Sequence, residues 1–270
     1  MDPFFSVITT TRNCERDLGV TLSTLKQQTF RDFEWVVQDG LSSDGTLDLI
    51  EASGLHLNLR SERDSGIYDA MNKACARARG EWVLCLQAGD WLAGDQALET
   101  LQAQIRSDCD IAICSVFEID IEGNIHHRIP DDPVAKCAII TGDDLPQARS
   151  HWLAGLPCHQ GLAMRRSIFD QLQFDLSFRI SADLMHLFSA IAAGHKVQLL
   201  QHPLAWYPNG GYSYENSEQW IQDMIRLCIA LGSSPEHVQA HFHQALEEHT
   251  RFQAGRRRDA GIIEAWLASR

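Results

Sequence analysis

The chain has 270 residues, 44% of them hydrophobic, and a formal net charge of -13. That length buries a large core, as one domain or as one domain with an appendage. The acidic balance argues against nonspecific nucleic-acid binding, which needs a basic footprint.

Phe4–Thr10 is apolar and β-branched, a candidate buried first strand that runs into the polar Thr11-Arg12-Asn13. Leu18–Gln28 carries Leu18, Leu22 and Leu25 on one helical face. Phe33–Gln38 is a second strand. It ends in Asp39-Gly40-Leu41-Ser42-Ser43-Asp44-Gly45-Thr46, where Asp44-Gly45 reads as a turn and helix cap. Thr46–Ala52 is a short helix. Leu55–Arg60 is a weaker strand closing on Ser61-Glu62-Arg63-Asp64. Gly66–Ala78 is the clearest helix, with Ile67, Ala70, Met71, Ala74 and Ala78 on its apolar face. Asp64 or Ser65 can cap it and Gly80 can stop it. Within it, Asp69 and Lys73 stand at i,i+4 and read first as a surface pair. Trp82–Leu86 is a fourth strand, stopping at Gln87-Ala88-Gly89-Asp90 and delivering the Asp90 carboxylate to a sheet edge. Asp90 alone reads equally as a solvated turn residue.

Strand and helix thus alternate over the first 90 residues with short connections, which predicts a parallel α/β sheet. Ligands bind outside the carboxyl ends of such strands. Those ends carry Thr9–Asn13, Asp39, Glu62–Asp64 and Gln87–Asp90.

A helix is expected at Asp95–Ser107 and a strand at Asp110–Ile119, then a hairpin turn at Glu122-Gly123-Asn124. Pro130–Leu156 has no clear period and reads as a lid or specificity loop. Cys158–Met164 reads as a short strand with His159 and Gln160 at its start, and Arg166–Leu172 as a short helix. Ser181–Ala193 is a helix capped by Ser181, with Asp183 in its first turn. Lys196–Leu200 is the last expected strand, and Pro208–Ser213 is a glycine-rich loop. From Asn216 the composition is helical. The eight cysteines show no CxxC or zinc-like spacing and read as buried free thiols in a reducing cytosol. MDPFFSVITTT lacks signal-peptide features, and no apolar run approaches the roughly 20 residues of a bilayer span. The expected compartment is the cytoplasm, with the inner face of the membrane included.

Five ordered blocks carry a resemblance: SVITTTRN (Ser6–Asn13), QTFRDFEWVVQDGLSSDGT (Gln28–Thr46), SERDSGIYDAMNKA (Ser61–Ala74), ARGEWV (Ala78–Val83) and LQAGD (Leu86–Asp90). CHQGLAMRRSIFD (Cys158–Asp170), FDLSFRISADLMHL (Phe174–Leu187) and NGGYS (Asn209–Ser213) extend it more weakly. Together they resemble family 2 glycosyltransferases of the GT-A fold, in the branch that builds bacterial capsule, exopolysaccharide or lipopolysaccharide. The resemblance implies a mixed, mostly parallel sheet flanked by helices over residues 1–213, with a helical extension over 214–270. It also implies transfer of a sugar from a nucleotide-diphospho-sugar, commonly UDP-linked, to a glycan or lipid-linked acceptor, with a Mg or Mn cation.

Carried over block by block, the resemblance sets Thr9, Thr11 and Arg12 beside the nucleotide and Asp39 against the base or ribose. Arg63 and Asp64 border the donor pocket, with Lys73 in support. Asp90 matches the last acid of the metal motif, where relatives often hold two or three acids. Asp183 matches a downstream acid and is the candidate general base, although an acid in a first helical turn is also simply a good cap. His159 and Gln160 flank the acceptor or the diphosphate, with a satisfied core histidine as the rival reading for His159. The glycine-rich loop reads as an ordinary connection or as one that closes on the donor, and Arg256, Arg257 and Arg258 read first as a solvated helix face, with anionic headgroups near a lipid-linked acceptor as the alternative. An inverting transfer needs a base for the acceptor hydroxyl, positive charge or donors for the departing diphosphate, and an in-line donor. One rival is a catalytically idle nucleotide-sugar-binding protein. A nicotinamide oxidoreductase is excluded by the lack of G-x-G-x-x-G after the first strand.

Overall fold

A computed structural model describes residues 2–120, 122–129, 139–140, 157–208 and 216–230. Most of the expected lid, the glycine-rich loop and Arg256–Arg258 lie outside the described residues.

Strands β1 (Phe5–Thr11), β2 (Phe33–Asp39), β3 (Leu57–Ser61) and β4 (Trp82–Cys85) form a parallel block in the order β3-β2-β1-β4. The short strand β5 (Trp91–Leu92) and the long β6 (Ile111–Ile119) follow, then β7 (Ile125–Arg128), β8 (Ile139–Ile140), β9 (Leu162–Arg165) and β10 (Val197–Pro208). The sheet continues from β4 as β9-β6-β10-β5, with β7 on β6 and β8 on β10. β9 is antiparallel to both β4 and β6, while β10 is parallel to β6. The start of β9 therefore lies beside the end of β4 and beside Ile113 of β6, which brings residues 158–161 to the ligand edge of β4.

The registers fix what meets there. Thr11 pairs with Asp39, and Asp39 with Ser61, so one cross-strand row ends β1, β2 and β3. Alternation along each strand divides the core. Ile8, Val36 and Val83 face one apolar cluster, shared with α3 (Ile67–Cys75), α5 (Arg166–Gln171), α6 (Ala182–Ala192) and α7 (Ser217–Ala230). Val7, Val37 and Leu84 face the other, against α1 (Glu15–Gln27), α2 (Thr46–Glu51) and α4 (Ala97–Gln104). Met224 and Leu227 of α7 are buried in the same cluster as α6, so this helix shares the core of the sheet.

Four local expectations change. His159 and Gln160 lie in a 3-10 turn, His159–Gly161, ahead of the strand rather than in it. The last long strand does not stop at Leu200 but runs twelve residues to Pro208, with register shifts on either side of Pro203. Pro203 lacks an N–H, so it reads as a breaker, and the structure absorbs it as a bulge. The α3 start has no side-chain cap; Asp64 Oδ1 accepts instead from Gly66 N at 3.0 Å. Ser181 likewise makes no side-chain cap on α6.

Gly80 does more than stop a helix. A Cβ there would lie 2.4 Å from Ser6 N, so the turn packs directly on the β1 backbone. Ser6 Oγ accepts from Gly80 N at 2.8 Å and donates to the buried Glu34 at 2.6 Å. Because the obstacle is main chain, Gly80→Ala is expected to destabilise by about 2 kcal/mol, read as a lower urea midpoint at unchanged slope.

Cys75, Cys85, Cys109 and Cys114 are buried free thiols. Among the described residues no helix is long and apolar enough to cross a membrane.

Candidate active site

Asp39 lies at the base of the edge, fully buried. It accepts from Thr11 Oγ1 at 2.9 Å, Ser61 Oγ at 2.6 Å, Ser42 N at 2.9 Å and Ser42 Oγ at 2.5 Å. Burial pushes its carboxyl up, but the Ser42, Ser61 and Thr11 bonds outweigh burial and hold it below the usual carboxylate range. Asp39 thus knots three strand ends and pins the loop after β2. Its oxygens are engaged by protein donors, so it shapes the floor of the site.

Thr9 and Thr11 share a strand face, and both face inward. Thr9 is fully buried; its hydroxyl donates to Leu86 O at 2.7 Å and accepts from Trp35 Nε1 at 2.8 Å. The hydroxyls of both Thr9 and Thr11 are engaged within the protein. The residues of opposite parity are Thr10, which is half-buried, and Arg12, which is exposed. Thr10 binds Gln87 Oε1 through its N at 2.9 Å and its Oγ1 at 2.7 Å, joining the β1 end to the turn that carries Asp90. Sequence reading passed over Thr10, although the period of two in a strand marks it.

Arg12 and Asp64 meet over Gly40, where a Cβ would lie 2.7 Å from Asp64 Oδ2 and 3.4 Å from Arg12 Cδ. Arg63 is exposed, and its carbonyl accepts from Lys73 Nζ at 2.7 Å. Lys73 also pairs with Asp69 at 3.1 Å, and Asp69 accepts from Ser65 N at 2.8 Å. Lys73 therefore braces the 61–66 loop from behind.

Asp90 closes the Gln87–Asp90 turn. Gly89 has φ 97°, a left-handed conformation suited to glycine. Thr21 Oγ1 ties the turn to α1, donating to Asp90 O at 2.6 Å and accepting from Gly89 N at 3.0 Å. The Asp90 residue is 7% exposed, and Oδ2 accepts from Gln160 Nε2 at 3.1 Å. Burial pushes this carboxyl up to about 7, against the lowering effect of Gln160. Among the described residues no three His, Cys, Asp or Glu side chains converge as a metal cluster.

Asp183 stands in the first turn of α6. Its Oδ1 accepts from Tyr68 Oη at 3.0 Å, and the same hydroxyl contacts the carbonyl of Ile180. Its Oδ2 lies 3.6 Å from His159 Nδ1, an ion-pair distance. Burial pulls the His159 imidazole down, but the Cys85 thiol and the Asp183 carboxylate outweigh it and carry it to about 9. Tyr68 was not singled out in the sequence because its partner lies 115 positions away.

The N–H groups ahead of α6 are satisfied from α7. Buried Asp223 Oδ2 accepts from Ile180 N at 2.8 Å and Ser181 N at 3.3 Å, and Arg226 Nη1 donates to Ser177 O at 2.8 Å. Asp223→Ala would leave two buried N–H groups unpaired immediately before the candidate base. It is expected to cost about 2 kcal/mol and to lower turnover beyond the fraction unfolded, measured as specific activity corrected for folded protein.

Residues 6–173 match the family model described as Glycosyl transferase family 2. The chain belongs to glycosyltransferase family 2. A PGL/p-HBAD biosynthesis glycosyltransferase of Mycobacterium tuberculosis is 30% identical over 195 residues, 67% of each chain. Among solved structures, the mannosyltransferase PcManGT of Pyrobaculum calidifontis, in complex with GDP-Man and Mn2+, superposes with TM-score 0.66 at 19% identity, covering 99% of this chain and 80% of that one. Staphylococcus aureus TarS in complex with UDP-GlcNAc gives 0.64 at 20% identity, covering 93% and 73%. At these identities the structures show the fold: this family 2 glycosyltransferase has the GT-A-like architecture of a mixed sheet with flanking helices.

Proposed function

We propose that this glycosyltransferase moves a sugar from a UDP-type nucleotide donor to a hydroxyl of a glycan or lipid-linked acceptor, with inversion, in surface glycoconjugate synthesis. The observation that carries the reading is the meeting of two carboxylates from distant parts of the chain, Asp90 and Asp183, on either side of the His159–Gln160 turn. Such a pair gives the two functions an inverting transfer needs at opposite ends of the reacting bond. The nucleotide-sugar complexes of structural neighbours and the biosynthetic name of the mycobacterial relative support the substrate class.

Asp183 is the proton acceptor for the attacking hydroxyl. Tyr68 donates to one of its oxygens and the His159 imidazole stands beside the other, which orients the carboxylate. Arg12 and Asp64, at the exposed rim of the Asp39 knot, border the nucleotide, and exposed Arg63 borders the diphosphate side. Asp90 fits a divalent cation: a single buried carboxylate whose charge is opposed by desolvation gains from a cation. Mg and Mn are held by one or two carboxylates together with substrate phosphates, so one acid and a diphosphate suffice. The cation, when bound, offsets the charge that develops on the departing nucleoside diphosphate.

We place the catalytic unit at residues 1–213 and its helical extension at 214–270, with α7 of that extension supporting the base. Cytoplasmic placement at the inner membrane face belongs to the same reading. The lone acid of the Asp90 turn favours one rival, an idle nucleotide-sugar-binding protein.

The test is a panel of UDP-, GDP- and TDP-linked hexoses with Mn2+ or EDTA, read by thermal shift and by release of nucleoside diphosphate. A bound donor at about 100 times its Kd adds about 2.7 kcal/mol. Mn2+-dependent turnover that vanishes in Asp90→Ala supports the enzyme, and Mn2+-dependent binding with no turnover supports the idle rival. Stabilisation by no donor in the panel defeats both.

A further inference from the structure

We propose that the His159–Gln160 turn is a positioning device that holds the two working carboxylates in register, His159 acting through Asp183 and Gln160 through Asp90. The inference rests on the assignment of those two acids made above.

The geometry is specific. Adjacent residues contact different acids: Gln160 Nε2 reaches Asp90 Oδ2 at 3.1 Å, and His159 Nδ1 lies 3.6 Å from Asp183 Oδ2. The acids themselves are 93 positions apart in sequence, one after β4 and one on α6. The His159 Nδ1 face is toward Asp183, and its Nε2 is buried without a geometric hydrogen bond among the described residues. Gln160 is tethered by its amide nitrogen to a buried carboxylate.

The turn is also anchored. Gly161 N donates to Cys158 O at 2.9 Å, closing the turn. A Cβ on Gly161 would lie 2.6 Å from Cys114 O and 3.0 Å from Val116 Cγ1, so the backbone rests directly on β6. β9 follows at once and is paired on both sides, to β4 and to β6. A rigid mount with one contact on each acid transmits position to both. Each contact has a different consequence. A donor on one Asp90 oxygen fixes which oxygen remains for the cation, and so bears on binding of the metal–diphosphate complex. The imidazole beside Asp183 Oδ2 bears on the direction of that carboxylate, and so on the proton-transfer step.

Two variants separate the roles, each checked for folding by its melting curve. Mn2+·UDP binding is measured by calorimetry, and kcat is measured with whichever nucleotide-hexose of the panel turns over fastest. Gln160→Leu is expected to weaken Mn2+·UDP by at least about tenfold while kcat at saturating donor stays within about threefold. His159→Leu is expected to lower kcat by at least about tenfold while Mn2+·UDP affinity stays within about threefold. His159→Asn, whose Nδ2 keeps an N–H donor near the place of the imidazole Nδ1, recovers part of that loss. The inference is overturned if both variants move the same parameter, if neither moves any, or if His159→Leu weakens Mn2+·UDP as Gln160→Leu does. The underlying assignment fails separately, through Asp90→Asn retaining full Mn2+·UDP affinity or Asp183→Asn retaining full turnover.

Discussion

Asp183→Asn is expected to lower kcat by about three orders of magnitude, the range in which a positioned general base contributes, while leaving Mn2+·UDP affinity within about threefold. The substitution is isosteric and keeps an oxygen that can accept from Tyr68 Oη, now at 3.0 Å from Oδ1. It removes the charge that pairs with His159 Nδ1. The α6 start is held by Asp223, not by Asp183, so the backbone should stay in place. The nucleotide-binding residues proposed above, Arg12, Asp64 and Asp90, make no hydrogen bond to Asp183 among the described residues. A variant that binds Mn2+·UDP normally and turns over slowly therefore isolates the proton-transfer role. Turnover within a few fold of the parent would remove Asp183 from that role and leave it as a buried partner of Tyr68. Tyr68→Phe gives a graded companion: it takes one donor from Asp183 Oδ1 without removing the carboxylate, and kcat should fall by about tenfold.

Much of this arrangement is legible in the sequence, for definite reasons. β1, β2 and β4 are short apolar runs that stop at polar residues, so their carboxyl ends can be located to within a residue. Asp90 and Asp39 are singled out because each ends a strongly patterned strand, and Asp183 because its block resembles the family's. The environment of Asp39 is not legible in the same way. Its partners Thr11 and Ser61 become neighbours only through the β1–β2–β3 register, which no local pattern encodes. The direction of β9 is also hidden. Leu162–Arg165 is too short to announce its polarity, yet its antiparallel course is what brings His159 and Gln160 to the acids. Tyr68 and Asp223 belong to the same class, since each looks like an ordinary helical residue until the tertiary contact is known. The place of the Thr9 hydroxyl is hidden in the same way: strand parity turns it into the core, where it accepts from the Trp35 indole N–H, a group that would be costly to leave unpaired.

Asp90→Asn should abolish turnover and yet stabilise the metal-free protein at alkaline pH. The Asp90 carboxyl is raised by burial from 3.8 to about 7. Between those values the folded protein holds a proton that the unfolded chain has already released. Stability contributed by this group is thus present below about pH 4, falls as pH rises through the window, and is lost above about pH 7. At pH 8 in EDTA the parent carries a buried charge opposed by desolvation, a penalty on the order of 3 kcal/mol. Asparagine is neutral at every pH and can still accept from Gln160, so the variant should melt higher by several degrees, at roughly 2 °C per kcal/mol for a chain of this size. The order reverses with saturating Mn2+ and UDP. The cation supplies the charge that the parent lacks, and binding at about 100 times Kd adds about 2.7 kcal/mol to the parent alone. Melting curves at pH 5 and pH 8, each with EDTA or with Mn2+·UDP, measure all four corners. In EDTA the parent–variant gap should be small at pH 5 and wide at pH 8. A parent that is more stable than Asp90→Asn at pH 8 in EDTA would show that a protein group already neutralises Asp90, and the cation would lose its place in the site. The expected result instead puts the functional acid among residues that destabilise the resting fold, the usual trade between stability and activity at a working site.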